Sequence, residues 1–383
     1  MMGSDKFHLI FALAVFFVAY IWLMTEKTPR HVVVLYASAA LLLGQVLTLQ
    51  QAFDLVNWNT LASLLGMFIL VEALSNFGFF NRLATTLIRR LKDRRQALFF
   101  VLCAAAGLLS MVINNITVML FLTNLTLQIC RGVPLEPIPL IIGEVSCANM
   151  VGAATLIGSP PNLVMAGILG YGFSHVAIHM APLMIISTAV FMTVYYVQNV
   201  DSLYHSAPLL AGMTLKVGLE RMTAWRLFLK IDFETLLFFM GLFILVGALD
   251  HVGLFQILAQ RLATVQNPLM LMLATLWLSA MASALVDNIP MALAMAYLIK
   301  KLAAMSPGFP SEILVWAALI GLTLGGNMTP IGASPNVVAY GLLEKHRIKI
   351  GWKKWGELTI PATLCALLAA SALVWIKYRI GWY

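Results

Sequence analysis

Long apolar runs, separated by short polar and mostly basic interruptions, set the rhythm of this chain. Runs over residues 7–24, 31–49 and 58–78 each approach the length that crosses a bilayer as a helix. Residues 79–95 are basic and amphipathic, a pattern that predicts an interfacial segment. Residues 97–129 then continue without a charge. At about 1.5 Å per residue that stretch is too long for one span and too short for two. Its flanks are basic at Arg94, Arg95 and Arg131, so both ends belong on one side. The run therefore predicts a re-entrant hairpin whose tip falls near 112–117. A broken helix over 138–170 and a plain span over 178–198 follow.

A polar linker over 199–230 leads into a second half that replays the first. It predicts a span at 233–250, an interfacial stretch at 254–265, a second hairpin at 268–299, a broken helix at 313–343 and a last helix at 358–376. The register is visible in Leu65-Gly-Met-Phe-Ile-Leu-Val71 against Met240-Gly-Leu-Phe-Ile-Leu-Val246, and in Val112-Ile-Asn-Asn-Ile116 against Leu285-Val-Asp-Asn-Ile289. The clearest repeat lies in the broken helices. Gly152, Thr155, Ile157, Gly158, Pro161, Asn162, Val164 and Gly167 all return 174 positions later.

These elements add up to an all-α polytopic membrane protein built as one transmembrane domain over 1–383. Residues 1–52 supply two N-terminal scaffold helices, 53–198 a first repeat, 199–230 the linker and 231–378 a second repeat. Each repeat contains a re-entrant helical hairpin and a broken transmembrane helix. With the N-terminus outside, most of the 24 basic residues fall in inner loops, as the positive-inside rule requires. The same topology runs the spans at 58–78 and 233–250 in opposite senses, so the repeats are inverted.

Composition agrees: 61% of residues are hydrophobic and 10% charged, with a mean hydropathy of +0.91. The formal charge of +8 sits in loops, where it sets orientation rather than binding nucleic acid. Residues 7–24 lack the basic start and small-residue cleavage site of a signal peptide and read as the first span. The four cysteines are scattered without metal spacing and read as buried apolar residues.

Irregular backbone at membrane depth is tolerated only where it is buried in protein or lines a cavity. Gly/Pro-interrupted segments at corresponding places in two halves therefore point to the binding site of a secondary transporter. The candidate site comprises Asn114, Asn115, Thr117, Thr155, Gly158, Ser159 and Asn162 in the first half. Asp287, Asn288, Thr329, Gly332, Ser334 and Asn336 are its counterparts in the second. Amide oxygens and freed carbonyls suit a cation, and half-helix N-termini suit an anion. Capping of broken helices explains one amide per tip, but not a doubled pair with a repeated Asn beyond it.

Asp287 replaces Asn114 of the other half, and a buried carboxylate must carry a proton or face a cation. Glu144 and Glu72 lie in apolar segments and are further candidates for coupling to proton movement. His175 and His179 have i, i+4 spacing that would suit a metal, but they lack a third ligand and read as interface residues. Ser110 and Ser283 precede the tips and could lend an oxygen. Neither a His-Glu-x-x-His motif nor a serine nucleophile with a base is present, so no enzyme is expected.

The Asn/Asp-Asn hairpin followed by Thr-x-Ile-Gly-x-x-x-Asn, present twice, resembles the ion transporter superfamily, and in particular its ArsB/NhaD-type permeases. The resemblance covers residues 53–378 and implies a mobile transport domain of hairpins and broken helices, often in a homodimer in a bacterial inner membrane. It implies no cofactor and a small inorganic ion or anion as cargo. The coupling ion would be a proton or sodium, sodium lying at Asn115, Gly158, Asn288 and Gly332. Sodium/proton antiport and oxyanion export by an elevator-like shift are the two forms expected. Divalent anion:sodium symporters carry Ser-Asn-Thr at both tips. Its absence here, with Asp287 beside the site, argues against dicarboxylate symport, which stays an alternative together with a passive channel or a scaffold subunit.

Overall fold

The computed structural model describes residues 2–25, 27–76, 95–132, 135–204, 233–265, 267–305 and 310–383, and these hold sixteen helices and no strand. The first part contains α1 (Met2–Met24), α2 (Arg30–Leu43), α3 (Leu49–Leu55) and α4 (Trp58–Asn76). Next come α5 (Arg95–Ser110) and α6 (Asn115–Gly132), a helical hairpin, then α7 (Pro137–Gly152), α8 (Pro160–Leu169) and α9 (Phe173–Tyr204). The second part has α10 (Phe233–His251), α11 (Leu254–Leu262), the hairpin α12 (Pro268–Leu285) and α13 (Asn288–Met305), then α14 (Glu312–Gly326), α15 (Ser334–Lys345) and α16 (Trp352–Arg379). Five of these are long and apolar enough to span a membrane, and the protein is an integral membrane protein. The expected interfacial segment at 79–95 and nearly all of the linker fall outside the described residues.

One boundary corrects the reading of the sequence. The apolar run 31–49 does not form one helix: α2 stops at Leu43, and Gln45 takes a left-handed φ of 55°. The chain then restarts as α3, which was not expected. Thr48 and Gln51 form a capping box, the Thr48 hydroxyl accepting from the Gln51 amide and the Gln51 side chain accepting from the Thr48 amide. The Thr-x-x-Gln spacing was the available signal.

Because lipid is as apolar as leucine, helices in a bilayer are held by close packing and polar contacts rather than by exclusion of water. The tightest seam joins α12 to α14. Gly321 and Gly325, four apart on α14, lie against the carbonyls of Leu276 and Ala280, so closely that a Cβ at either would overlap them. Across α2 and α10, a Cβ on Gly241 would come within 2.6 Å of the Val34 side chain. A methyl at such a seam forces the backbones apart, at about 1–3 kcal/mol. Gly325→Ala should therefore lower the thermal unfolding midpoint in detergent clearly. Gly66→Ala, at a glycine with open space around it, should change it little, and equal midpoints would refute the seam.

Candidate functional site

Each hairpin turn sits beside the break of the following helix, and the two places are built alike. Helices α7 and α14 end in mid-bundle, leaving terminal carbonyls without helical donors. The Asn162 amide donates to the carbonyls of Ala153 (2.7 Å) and Thr155 (3.1 Å), and the Asn336 amide donates to those of Gly326 and Thr329 (both 2.8 Å). The Thr155 hydroxyl donates to the Met111 carbonyl at 2.7 Å and the Thr329 hydroxyl to the Ala284 carbonyl at 2.6 Å. These bonds tie each break to its hairpin tip. At the tips, Asn114 Oδ1 accepts from the Ile116 amide (2.9 Å) and Asp287 Oδ1 from the Ile289 amide (3.1 Å).

The repeated glycines make this approach possible. A Cβ on Gly332 would stand 2.6 Å from the Gly326 carbonyl oxygen and 2.7 Å from that of Ser283, and one on Gly158 would overlap the Ser110 carbonyl. Substituting either glycine by alanine should abolish transport by forcing tip and break apart. The check is substrate flux at matched protein levels in the membrane, and wild-type flux from either variant would rule the packing out as a requirement.

The two halves differ where they meet. Asn149, on α7, donates to Asn327 Oδ1 and Asn336 Oδ1 (both 2.8 Å) and accepts from the Asn115 amide at 3.1 Å. Asn327 also reaches the Ser146 carbonyl at 3.4 Å, and the Trp355 ring N–H donates to the Asn327 carbonyl at 3.1 Å. Four buried amides from the two halves thus form one knot. Asn149 and Asn327 were missed from the sequence, although each is a lone amide in an apolar run, the signal that marked the others.

Asp287 does face a cation, and it is a protein group. Arg30, the first residue of α2, donates to Asp287 Oδ2 at 2.8 Å and to Ser334 Oγ at 3.3 Å, while the Ser334 hydroxyl donates to Asp287 Oδ2 at 2.9 Å. Sequence reasoning counted Arg30 only towards orientation. Beside this pair lies a cavity of about 320 Å³ whose lining includes Arg30, His31, Asn114, Pro160, Glu234, Ile289 and Ser334. Both tips and the starts of α8 and α15 therefore border one space. Neither of those helix starts is closed by a side-chain cap, at Ser159 or at Ala333.

The remaining candidates divide. Asn288 is buried at the start of α13 and Thr117 half-buried on α6, and neither joins these bonds. The Ser283 hydroxyl donates to the Leu322 carbonyl at 2.7 Å, whereas the buried Ser110 hydroxyl has no partner among the described residues. Glu144 is fully buried on α7 and accepts from the Thr126 hydroxyl at 2.6 Å. Glu72 belongs to α4, and its side chain lies outside the described residues. His179 stacks on Trp316 and lies against Lys377, while His175 meets Trp316 at a tilt and lies 3.5 Å from Glu312. Among the described residues no group of three His, Cys, Asp or Glu could hold a metal.

An all-helical membrane protein with a cavity between paired tips and breaks, bordered by a few charged and polar groups, has the build of a transporter. The chain belongs to the citrate transporter family, whose profile matches residues 20–321. It is 25% identical to a 46 kDa membrane protein of Mycobacterium leprae, covering 97% of this chain and 99% of that one. It is 27% identical to an uncharacterized transporter of Mycobacterium tuberculosis strain H37Rv over 96% of this chain and 99% of that one. The human P protein is 25% identical over 97% of this chain and 61% of its own length. Among solved structures, the Alcanivorax borkumensis YdaH transporter superposes with a TM-score of 0.60 at 15% identity, covering 84% of this chain and 85% of that one. This last likeness concerns the fold. The family, the Mycobacterium tuberculosis relative and the Alcanivorax borkumensis protein are transporters.

Proposed function

We propose that the protein is a secondary active transporter that carries a small carboxylate anion of the citrate class, driven by a proton or sodium gradient, through the cavity between the two tips. The observation that supports this most is Arg30 and two uncapped helix starts bordering one cavity, in which His31 faces Glu234 at 3.5 Å. Helix N-termini carry partial positive charge, which acts here through the dipole because α8 opens on Pro160 and Pro161 and its next amides donate to the Ser159 carbonyl, and a guanidinium binds carboxylates in a bidentate fork. The repulsion expected from Asp287 is offset, because Arg30 and Ser334 already hold that carboxylate. Hairpins and broken helices, tied by the Thr155 and Thr329 bonds, move as a unit against the scaffold in an elevator-like cycle, and the two halves act as inverted repeats.

A second reading, sodium/proton exchange or sodium coupling, draws on Asn115, whose Oδ1 is buried with no donor among the described residues. That oxygen offers a ligand to a desolvated cation. A homodimer in a bacterial inner membrane with the N-terminus outside completes the proposal.

The test is uptake by proteoliposomes of labelled citrate, succinate and arsenite under imposed proton or sodium gradients. Uphill accumulation of a carboxylate supports the first reading. Flux that ignores both gradients identifies a channel, and sodium-dependent proton movement without any of these substrates supports the second reading.

A further inference from the structure

We propose that Glu144 is a proton-binding site, separate from the tip cavity, that holds the neutral acid and exchanges its proton during the transport cycle. Its carboxyl is 0% exposed. One oxygen accepts from Thr126 on α6, and the other, also buried, has no partner among the described residues. None of the described ion pairs includes it.

The titratable groups near it are thiols and a phenol, with one carboxyl further off. Cys103 on α5 and Cys130 on α6 lie near it, Cys147 on α7 contacts Cys103, and Glu136 lies just before α7. Tyr195 of α9 packs beside the neighbouring Gly143 and donates its hydroxyl to the Pro139 carbonyl at 2.6 Å. An ionised carboxylate in this setting, without a cation, costs several kcal/mol, whereas a neutral acid is held by the Thr126 hydroxyl.

The sequence repeat supplies a control inside the molecule. At the same registers the second half places Ala318 for Glu144 and Ile299 for Thr126, and both are buried. This layer of the bundle therefore packs well without a polar pair, and packing alone gives no reason for a carboxyl here. Position supplies the link to transport. Glu144 and Asn149 share α7, about 7.5 Å apart along its axis. The Thr126 bond also pins the far arm of the first hairpin to that helix. Loss of the proton would put a bare charge between hairpin and broken helix, and the amide knot lies little more than a turn away.

The test has two arms, and only the second rests on the transporter reading. In the first, infrared spectra of the protein in lipid at neutral pH should contain a protonated-carboxyl C=O band that Glu144→Gln removes. Thr126→Val should shift that band to higher frequency by removing its hydrogen bond. Glutamine imitates the neutral acid, so the variant should keep its thermal midpoint. Absence of a band assignable to Glu144, or a midpoint that collapses in Glu144→Gln while Thr126→Val leaves every carboxyl band unmoved, overturns the proposal. In the second arm, a one-unit pH gradient should drive about tenfold accumulation per coupled proton in wild-type vesicles and none in Glu144→Gln. Equal pH-driven accumulation by both also overturns it. If neither protein moves any tested anion, the substrate reading fails while the infrared result stands or falls separately.

Discussion

Replacing Arg30 with alanine should lower carboxylate transport by at least about 100-fold, the equivalent of roughly 3 kcal/mol. The substitution removes the guanidinium that borders the cavity. It also strands Asp287, only 14% exposed, with Ser334 as its remaining side-chain partner. Breaking a buried ion pair on one side destabilises by about 3–5 kcal/mol, and partial exposure of Arg30 (32%) brings the expected loss to about 2–3 kcal/mol. The combination Arg30→Ala with Asp287→Asn should restore much of the stability, since no charge is left alone, without restoring transport. Thermal unfolding separates the two effects, and uptake decides the functional one. Wild-type transport by Arg30→Ala would remove the cavity's claim to be the anion site.

Asn149→Ala should be the most destabilising single change in the site, by about 3–5 kcal/mol, with transport lost. Its side chain makes three hydrogen bonds to buried amides, and each partner left unsatisfied costs about 1–3 kcal/mol. Asn149→Asp is the sharper probe, because it keeps one acceptor for Asn115 but loses the two donors that reach Asn327 and Asn336. A midpoint for Asn149→Asp close to that of Asn149→Ala would confirm that the donors matter most. Two variants with wild-type midpoints would show that the knot contributes nothing.

Hairpins and broken helices were legible because Gly, Pro and Asn inside apolar runs are costly in a bilayer, and their recurrence at offsets of 173 and 174 identified equivalent positions. The bonds of Thr155 and Thr329 and the close packing at Gly158 and Gly332 follow that pairing residue for residue, and those of Asn162 and Asn336 do so except that Asn162 reaches Ala153 where Asn336 reaches Gly326, the equivalent of Gly152. What could not be read was partnership across the halves. Asp287 announced that it required a proton or a cation, but Arg30 lies 257 positions away, and a basic residue at a span end already had an adequate explanation. Asn149 escaped because its equivalent is Thr323, so the comparison of repeats that revealed the other amides passed over it. Helix α3 was missed because it falls almost wholly in the polar gap between the runs 31–49 and 58–78, where only the Thr48–Gln51 capping box marks a helix.

The knot also imposes an order on biogenesis. Asn149 enters the membrane soon after Asn115 but long before its second-half partners, Asn327 lying 178 positions further on. At ordinary synthesis rates of about 5–20 residues per second, that interval is roughly 10–35 s. Throughout it the nascent first half must sit in lipid with the two donors of Asn149, the Asp287 partnership of Arg30 and the face of α2 that later receives Gly241 still to be matched. The incomplete chain, rather than the finished bundle, is therefore the species most in need of an insertion chaperone and most visible to membrane proteases. A substitution in α14 or α15 that slows closure of the knot would be felt first as lowered yield, before any change in turnover.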